Sequence, residues 1–184
     1  MAAASVALAL AVLAFGQADS PPARPQRYTP ASHTFYCDVP VGWHPFEDED
    51  GFAVHLIGPD NPAGTYRTGV DVRWVERGQP GWVPQKKLVD DMRRSDSVTE
   101  RSATSVRPMR IAGILARIFE VSETRWLPAD QLPAVAEPLH HYVAVIPSGE
   151  SYYLINLSSS RDVYLDFRNM FVDFLKSFKP LGYK

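Results

Sequence analysis

The sequence predicts an α+β domain: a mainly antiparallel β-sheet flanked by helices. Short apolar runs alternate with period two and are separated by turn dipeptides such as Asp50-Gly51 and Ser148-Gly149, so hairpins dominate. Helical spacing appears only over residues 83–94 and in the closing stretch from Tyr164 to Phe178. With 184 residues, 45% hydrophobic and 22% charged, the chain suffices for one domain with a sizeable core.

The first 18 residues carry no Lys, Arg, Asp or Glu, and their apolar run over residues 2–15 is short for a bilayer span. Gly16-Gln17-Ala18 supplies the small residues that a signal peptidase reads, so residues 1–18 are expected to be a secretory signal, although the usual n-region cation is missing. Residues 19–32 hold four prolines and are expected to be a linker or an arm over the domain with no element of its own. The folded domain is expected over residues 33–184.

"HTFYCDVPVGWHPF" reads as a strand over residues 34–39 with Phe35, Cys37 and Val39 on one face, ended by Pro40 and Gly42. Cys37 is the only cysteine, so it forms no internal disulfide, and its place on an apolar face predicts a buried, inert thiol. "EDEDG" makes a hairpin turn, "FAVHLIG" the next strand and "GVDVRWVE" another over residues 69–76. After the helix at 83–94, Ala112-Gly113 joins two antiparallel strands, the second over 115–124. "LPADQLPAVAEPL" is a proline-rich excursion, followed by "HHYVAVIP", the turn "SGE" and "SYYLINLS". The Ser158-Ser159-Ser160 cluster offers N-cap hydroxyls to the final helix. Tyr164, Phe167, Phe171, Phe174, Leu175 and Phe178 form its apolar face, and Pro180 stops it.

The chain resembles the PsbP-like, or Mog1/PsbP, superfamily of α-β-α sandwiches. The resemblance rests on "FYCDVPVGW", on "IAGILARIFEVSE", and on a terminal strand and helix ending in "KSFKP". It implies a mostly non-catalytic class of extrinsic subunits, assembly factors and adaptors, found in thylakoid lumen, in bacterial envelopes or on a small GTPase, with metal sites in some photosystem members. The matching positions, Val39, Pro40, Gly42, Trp43, Gly113 and Phe178, are scaffold, so the resemblance carries over no functional residue.

A net charge of −2 and a pI near 6.2 argue against nucleic acid, and Asp90-Asp91 interrupt the basic pairs Lys86-Lys87 and Arg93-Arg94. His140-His141 is the visible metal candidate, yet adjacent strand residues point to opposite faces. The acidic "EDED" turn could hold a surface cation only if its oxygens converged. No G-x-S-x-G elbow and no P-loop occur, and no cofactor is called for. Trp126, Leu127, Leu132 and Val135 sit in a connection longer than a hairpin needs; they form either a partner-binding surface or a cap over the sheet edge. Trp82 poses the same choice, with packing at the start of the helix favoured.

The expectation is an exported, non-catalytic binding protein, an accessory or assembly factor of an envelope or membrane-associated complex, with a protein partner and no membrane segment after signal removal. The alternatives are a hydrolase with a cleft on the sheet face and a small-ligand or metal carrier.

Overall fold

The computed structural model describes residues 24–60, 66–129 and 133–181. The signal and the start of the arm therefore lie outside the described residues, as does Leu132. Eleven strands and two helices follow in the order β1 (Gln26–Tyr28), β2 (Phe35–Val39), β3 (His44–Glu47), β4 (Ala53–Ile57), β5 (Gly69–Val75), α1 (Gln85–Met92), β6 (Ser102–Ala103), β7 (Arg107–Ile111), β8 (Ile114–Leu127), β9 (Val135–Ser148), β10 (Ser151–Ser160), α2 (Tyr164–Ser177) and β11 (Lys179–Pro180). The large sheet runs β3-β4-β5-β10-β9-β8-β6, with β7 also paired to β8, and a small sheet runs β1-β2-β11. Every strand pairing among the described residues is antiparallel.

Strand alternation divides the large sheet into two faces. Val54, Leu56, Val70, Val72, Trp74, Ile118, Tyr142, Ala144, Tyr153 and Ile155 turn to one side, where Phe171, Phe174 and Leu175 of α2 and Phe35, Cys37 and Val39 of β2 meet them. Phe119, Val121, Val143, Val145 and Tyr152 turn to the other, under Val89 of α1. Helices on both faces make the α-β-α sandwich. Burial of each large apolar side chain contributes about 1.5–3 kcal/mol, so the aromatic stripe of α2 holds that helix to the sheet by packing.

Four local expectations are corrected. The arm does carry an element: β1 pairs with β2 from Gln26↔Val39 to Tyr28↔Cys37. An open strand edge supplies the hydrogen bonds that the arm's sequence cannot supply to itself, and Arg27 reinforces the pairing beside Asp38 (3.5 Å) and over the Tyr36 ring (4.9 Å). The serine cluster caps nothing. Ser158–Ser160 finish β10, while the N-cap of α2 is Val163 with no side-chain cap. The Ser158 and Ser159 hydroxyls instead reach the segment leading into β5, Ser158 Oγ with Tyr66 OH (2.7 Å) and Ser159 Oγ with Thr68 Oγ1 (3.0 Å).

The first helix is shorter than residues 83–94, because Pro84 sits at its N-cap and Arg93 closes it. The excursion is mostly strand, since β8 continues to Leu127 and β9 begins at Val135. Pro138 is tolerated there because its carbonyl side faces past the end of β10 and accepts the Arg161 N–H (2.9 Å), so the missing amide breaks no ladder bond. The Ala112-Gly113 hairpin stands as expected, with φ of 51° and 83°, the positive pair that a two-residue turn demands. Gly58 is fixed by crowding: a Cβ there would lie 2.8 Å from the Thr68 carbonyl oxygen and 3.2 Å from the Trp43 ring.

Cys37 is 1% exposed, and burial pushes its thiol up to about 12. A disulfide reagent at neutral pH should label the native chain at least about a hundredfold more slowly than the urea-unfolded chain, because the thiolate is the nucleophile. Comparable rates would show that the β2 face opens freely.

Candidate interaction site on the β8–β9 ribbon

β8 and β9 outrun their neighbours. The β9–β10 ladder ends at Leu139↔Ser160 and the β6–β8 ladder at Ser102↔Ser122, while β8 and β9 stay paired to Leu127↔Val135. The last flanking backbone bonds are Thr124 N–H to Thr99 O (2.7 Å) and Arg161 N–H to Pro138 O (2.9 Å). Beyond them, two strands run on as a ribbon with no third strand beside them among the described residues.

Strand alternation sorts the apolar residues of the ribbon. Trp126 pairs with Ala136 on the α2 side and Leu127 with Val135 on the α1 side. Trp126 is 65% exposed and Val135 54%. Trp126 and Leu127, neighbours in sequence, thus belong to opposite faces of one ribbon.

The two histidines at its base also part company. On the α2 side His140 Nε2 lies 3.2 Å from Glu120 Oε2, and its ring stacks on Tyr164 with centroids 3.8 Å apart. Arg107 (3.2 Å) and Arg168 (3.4 Å) hold the other oxygen of Glu120. Burial pushes the Glu120 carboxyl up, but His140, the nearby Tyr164 hydroxyl and the Arg168 charge outweigh it and bring the group below its usual range. Burial keeps His140 below its ordinary value despite Glu120.

On the α1 side, His141 Nε2 lies 3.3 Å from Glu123 Oε1, close enough for an ion pair though poorly aligned for a hydrogen bond. Arg125 Nε donates to that oxygen (2.5 Å) and Arg101 faces the other (3.1 Å). The His141 imidazole first, then the two arginines, hold Glu123 at about 2 against the opposing effect of burial. Each face therefore offers one histidine and one glutamate already claimed by arginines, so a cation at either would have to displace guanidinium groups. Among the described residues no group of three or more His, Cys, Asp or Glu side chains is arranged to hold a metal ion.

A polar cleft of about 320 Å³ opens beside the ribbon on the α2 side, lined by Ser102, Ser122, Thr124, Pro138, His140 and Arg161 among others. Thr124, which lines it, is the position before Trp126 on that face. Trp82, by contrast, packs against the α1-side core and donates its indole N–H to the Glu150 carbonyl (3.2 Å). Sequence reading missed the two glutamates. The signal was present in the pairing of "EVSE" on one strand with "HH" on the next, but only the register shows which glutamate meets which histidine.

Fold and site together define an antiparallel α-β-α sandwich with a projecting ribbon, the PsbP/Mog1-like fold. Among solved structures the chain is similar to cyanobacterial PsbP (CyanoP) from Synechocystis, at TM-score 0.51 and 15% identity over 85% of this chain and 92% of that one. It is also similar to the Ran-binding protein Mog1p of Saccharomyces cerevisiae, at TM-score 0.55 and 11% identity over 86% and 96%. LpqN of Mycobacterium tuberculosis, described as involved in cell envelope biogenesis, matches at TM-score 0.50 and 10% identity over 79% and 82%. No family model and no curated protein sequence matches the chain. No helix among the described residues is long and apolar enough to cross a membrane.

Proposed function

We propose that this is an exported, non-catalytic binding protein, an accessory or assembly factor of an envelope or membrane-associated complex, which docks a protein partner through the β8–β9 ribbon. One observation carries the reading: Trp126, 65% exposed, sits on a ribbon that has left its neighbouring strands behind. Large exposed aromatics on a rigid element are the usual anchors of protein interfaces. Support comes from the neighbours of the fold, one a Ran-binding protein and another involved in cell envelope biogenesis. The expected signal over residues 1–18, with cleavage after Ala18, supports export. The mature protein would then comprise the arm at 19–32 and the domain at 33–184.

The test is cross-linking of the full chain in native envelope extract, with partners read by mass spectrometry and affinity then measured on the purified pair. Trp126→Ala should weaken that affinity by at least about 30-fold, the loss typical of an anchor tryptophan, with an unchanged melting temperature. A partner recovered equally by both chains would move the docking site elsewhere. Recovery of no partner would retire the binding function.

A further inference from the structure

We propose that His55, clamped between Asp48 and Asp71, is a pH-responsive latch that pins the β3–β4 hairpin and the N-terminal arm while its ring is protonated. The geometry makes the demand. His55 Nδ1 lies 2.5 Å from Asp71 Oδ1, and Nε2 lies 2.9 Å from Asp48 Oδ1. An ionised carboxylate only accepts hydrogen bonds, so both ring nitrogens must donate, and only the imidazolium has two N–H groups. A neutral ring would turn one lone pair onto a carboxylate oxygen.

The ring is partly shielded, with 32% of its side chain exposed. Asp71 faces it from β5, Asp48 from the β3–β4 turn, and the uncharged Phe46 ring from β3 at 6.4 Å. Register places His44 and Arg73 as the next titratable or charged groups on this face, opposite Ile57 and Ala53, and β10 offers the neutral Asn156 opposite Asp71. Burial alone would lower the His55 value, but the two carboxylates outweigh it and leave the ring above its ordinary range. The latch is therefore closed below the ordinary histidine value and opens as pH rises through the raised one.

Asp48 is the contact that gives way. Asp71 is held in the β5 ladder and makes the shorter bond, whereas Asp48 belongs to a turn at the sheet edge. The preceding residue, Glu47, accepts from the Tyr28 hydroxyl (2.5 Å) and the Ala31 N–H (3.1 Å), so release of the turn also loosens the arm. Phe46, 61% exposed on the edge strand, moves with it.

Amide hydrogen exchange of the full chain tests this at about pH 5.5 and about pH 9, on either side of the titration of a raised histidine. After correction for the intrinsic chemical rate, peptides covering residues 26–31 and 44–57 should exchange roughly tenfold faster at the higher pH, as loss of one charge-assisted hydrogen bond implies, while β9 and β10 stay unchanged. Asp48→Asn should abolish the difference, because a carboxamide can donate to the neutral Nε2. Equal protection at both pH values, or the same pH dependence in Asp48→Asn, overturns the latch. An NMR titration of the wild-type imidazole decides independently of any variant: a midpoint at or below the ordinary value of 6.5 would also overturn it.

Discussion

Replacing Phe178 with alanine is expected to lower the free energy of unfolding by about 3–5 kcal/mol, the range for deleting a fully buried aromatic. Phe178 is 0% exposed and stands where three layers meet. It closes α2, leaves the helix in extended conformation and leads into β11 of the small sheet. Its ring lies 4.9 Å from Phe35 of β2 and 5.3 Å edge-on from Tyr153 of β10, and Tyr153 in turn lies 4.6 Å from Trp74 of β5. The cavity cannot collapse easily, because its walls are pinned. The Tyr153 hydroxyl donates to the Thr34 carbonyl at 2.7 Å, and the same carbonyl accepts the Leu181 N–H at 2.8 Å. Chemical denaturation should show a lower midpoint at unchanged slope. Leu165→Ala, on the same helix but 73% exposed, should change stability by less than about 0.5 kcal/mol. A loss of only about 1 kcal/mol at Phe178 would mean that the three layers relax around the gap and that α2 is held elsewhere.

The same residues show why the frame was legible in the sequence while the site was not. Strand alternation is local, so Phe35, Cys37 and Val39 announced one face of β2, and Tyr164, Phe171, Phe174, Leu175 and Phe178 announced one face of α2. The Ala112-Gly113 turn was legible for the same reason, since its positive φ values are a property of two residues. What failed depended on partners distant in sequence. The serine cluster looked like a cap because capping is the local use of a serine, and its true use needs Tyr66 and Thr68, more than 90 positions away. β1 has too little apolar content to declare itself and exists because β2 offers an edge. Glu120, Glu123, Asp48 and Asp71 were four acids among 21, and pairing register alone chooses which of them face His140, His141 and His55. Trp126 and Leu127 were read as one patch because adjacency in a loop says nothing of faces, and continuing strands put them on opposite sides.

Glu123→Gln should lower stability at neutral pH by roughly 3 kcal/mol and remove most of the difference on acidification. Glu123 has an unfolded-state value near 4.5 and a folded value of about 2, and the free energy linked to that gap is roughly 3 kcal/mol. The sign follows from the direction of the shift. The folded state binds the proton less tightly than the unfolded state, so the stabilisation is fully present above about 4.5 and is lost as pH falls towards about 2. The wild-type chain should therefore lose stability across that window and the variant much less, in denaturation curves taken at each pH. The carboxylate is 5% exposed, while Arg101 and Arg125 keep 30% and 53% of their side chains in solvent. Removing the anion therefore leaves two cations that water can reach, which keeps the loss moderate. The sharper consequence is at His141, 7% exposed, whose ring would lose its carboxylate partner. Since Glu123 and His141 tie β8 to β9 where the ribbon leaves the sheet, Glu123→Gln should also raise amide exchange over residues 124–127 and 135–138. Lost stability without faster exchange there would show that the ribbon is held by its backbone ladder alone, and that the charged base of the ribbon stabilises the sheet without setting how rigidly Trp126 is presented.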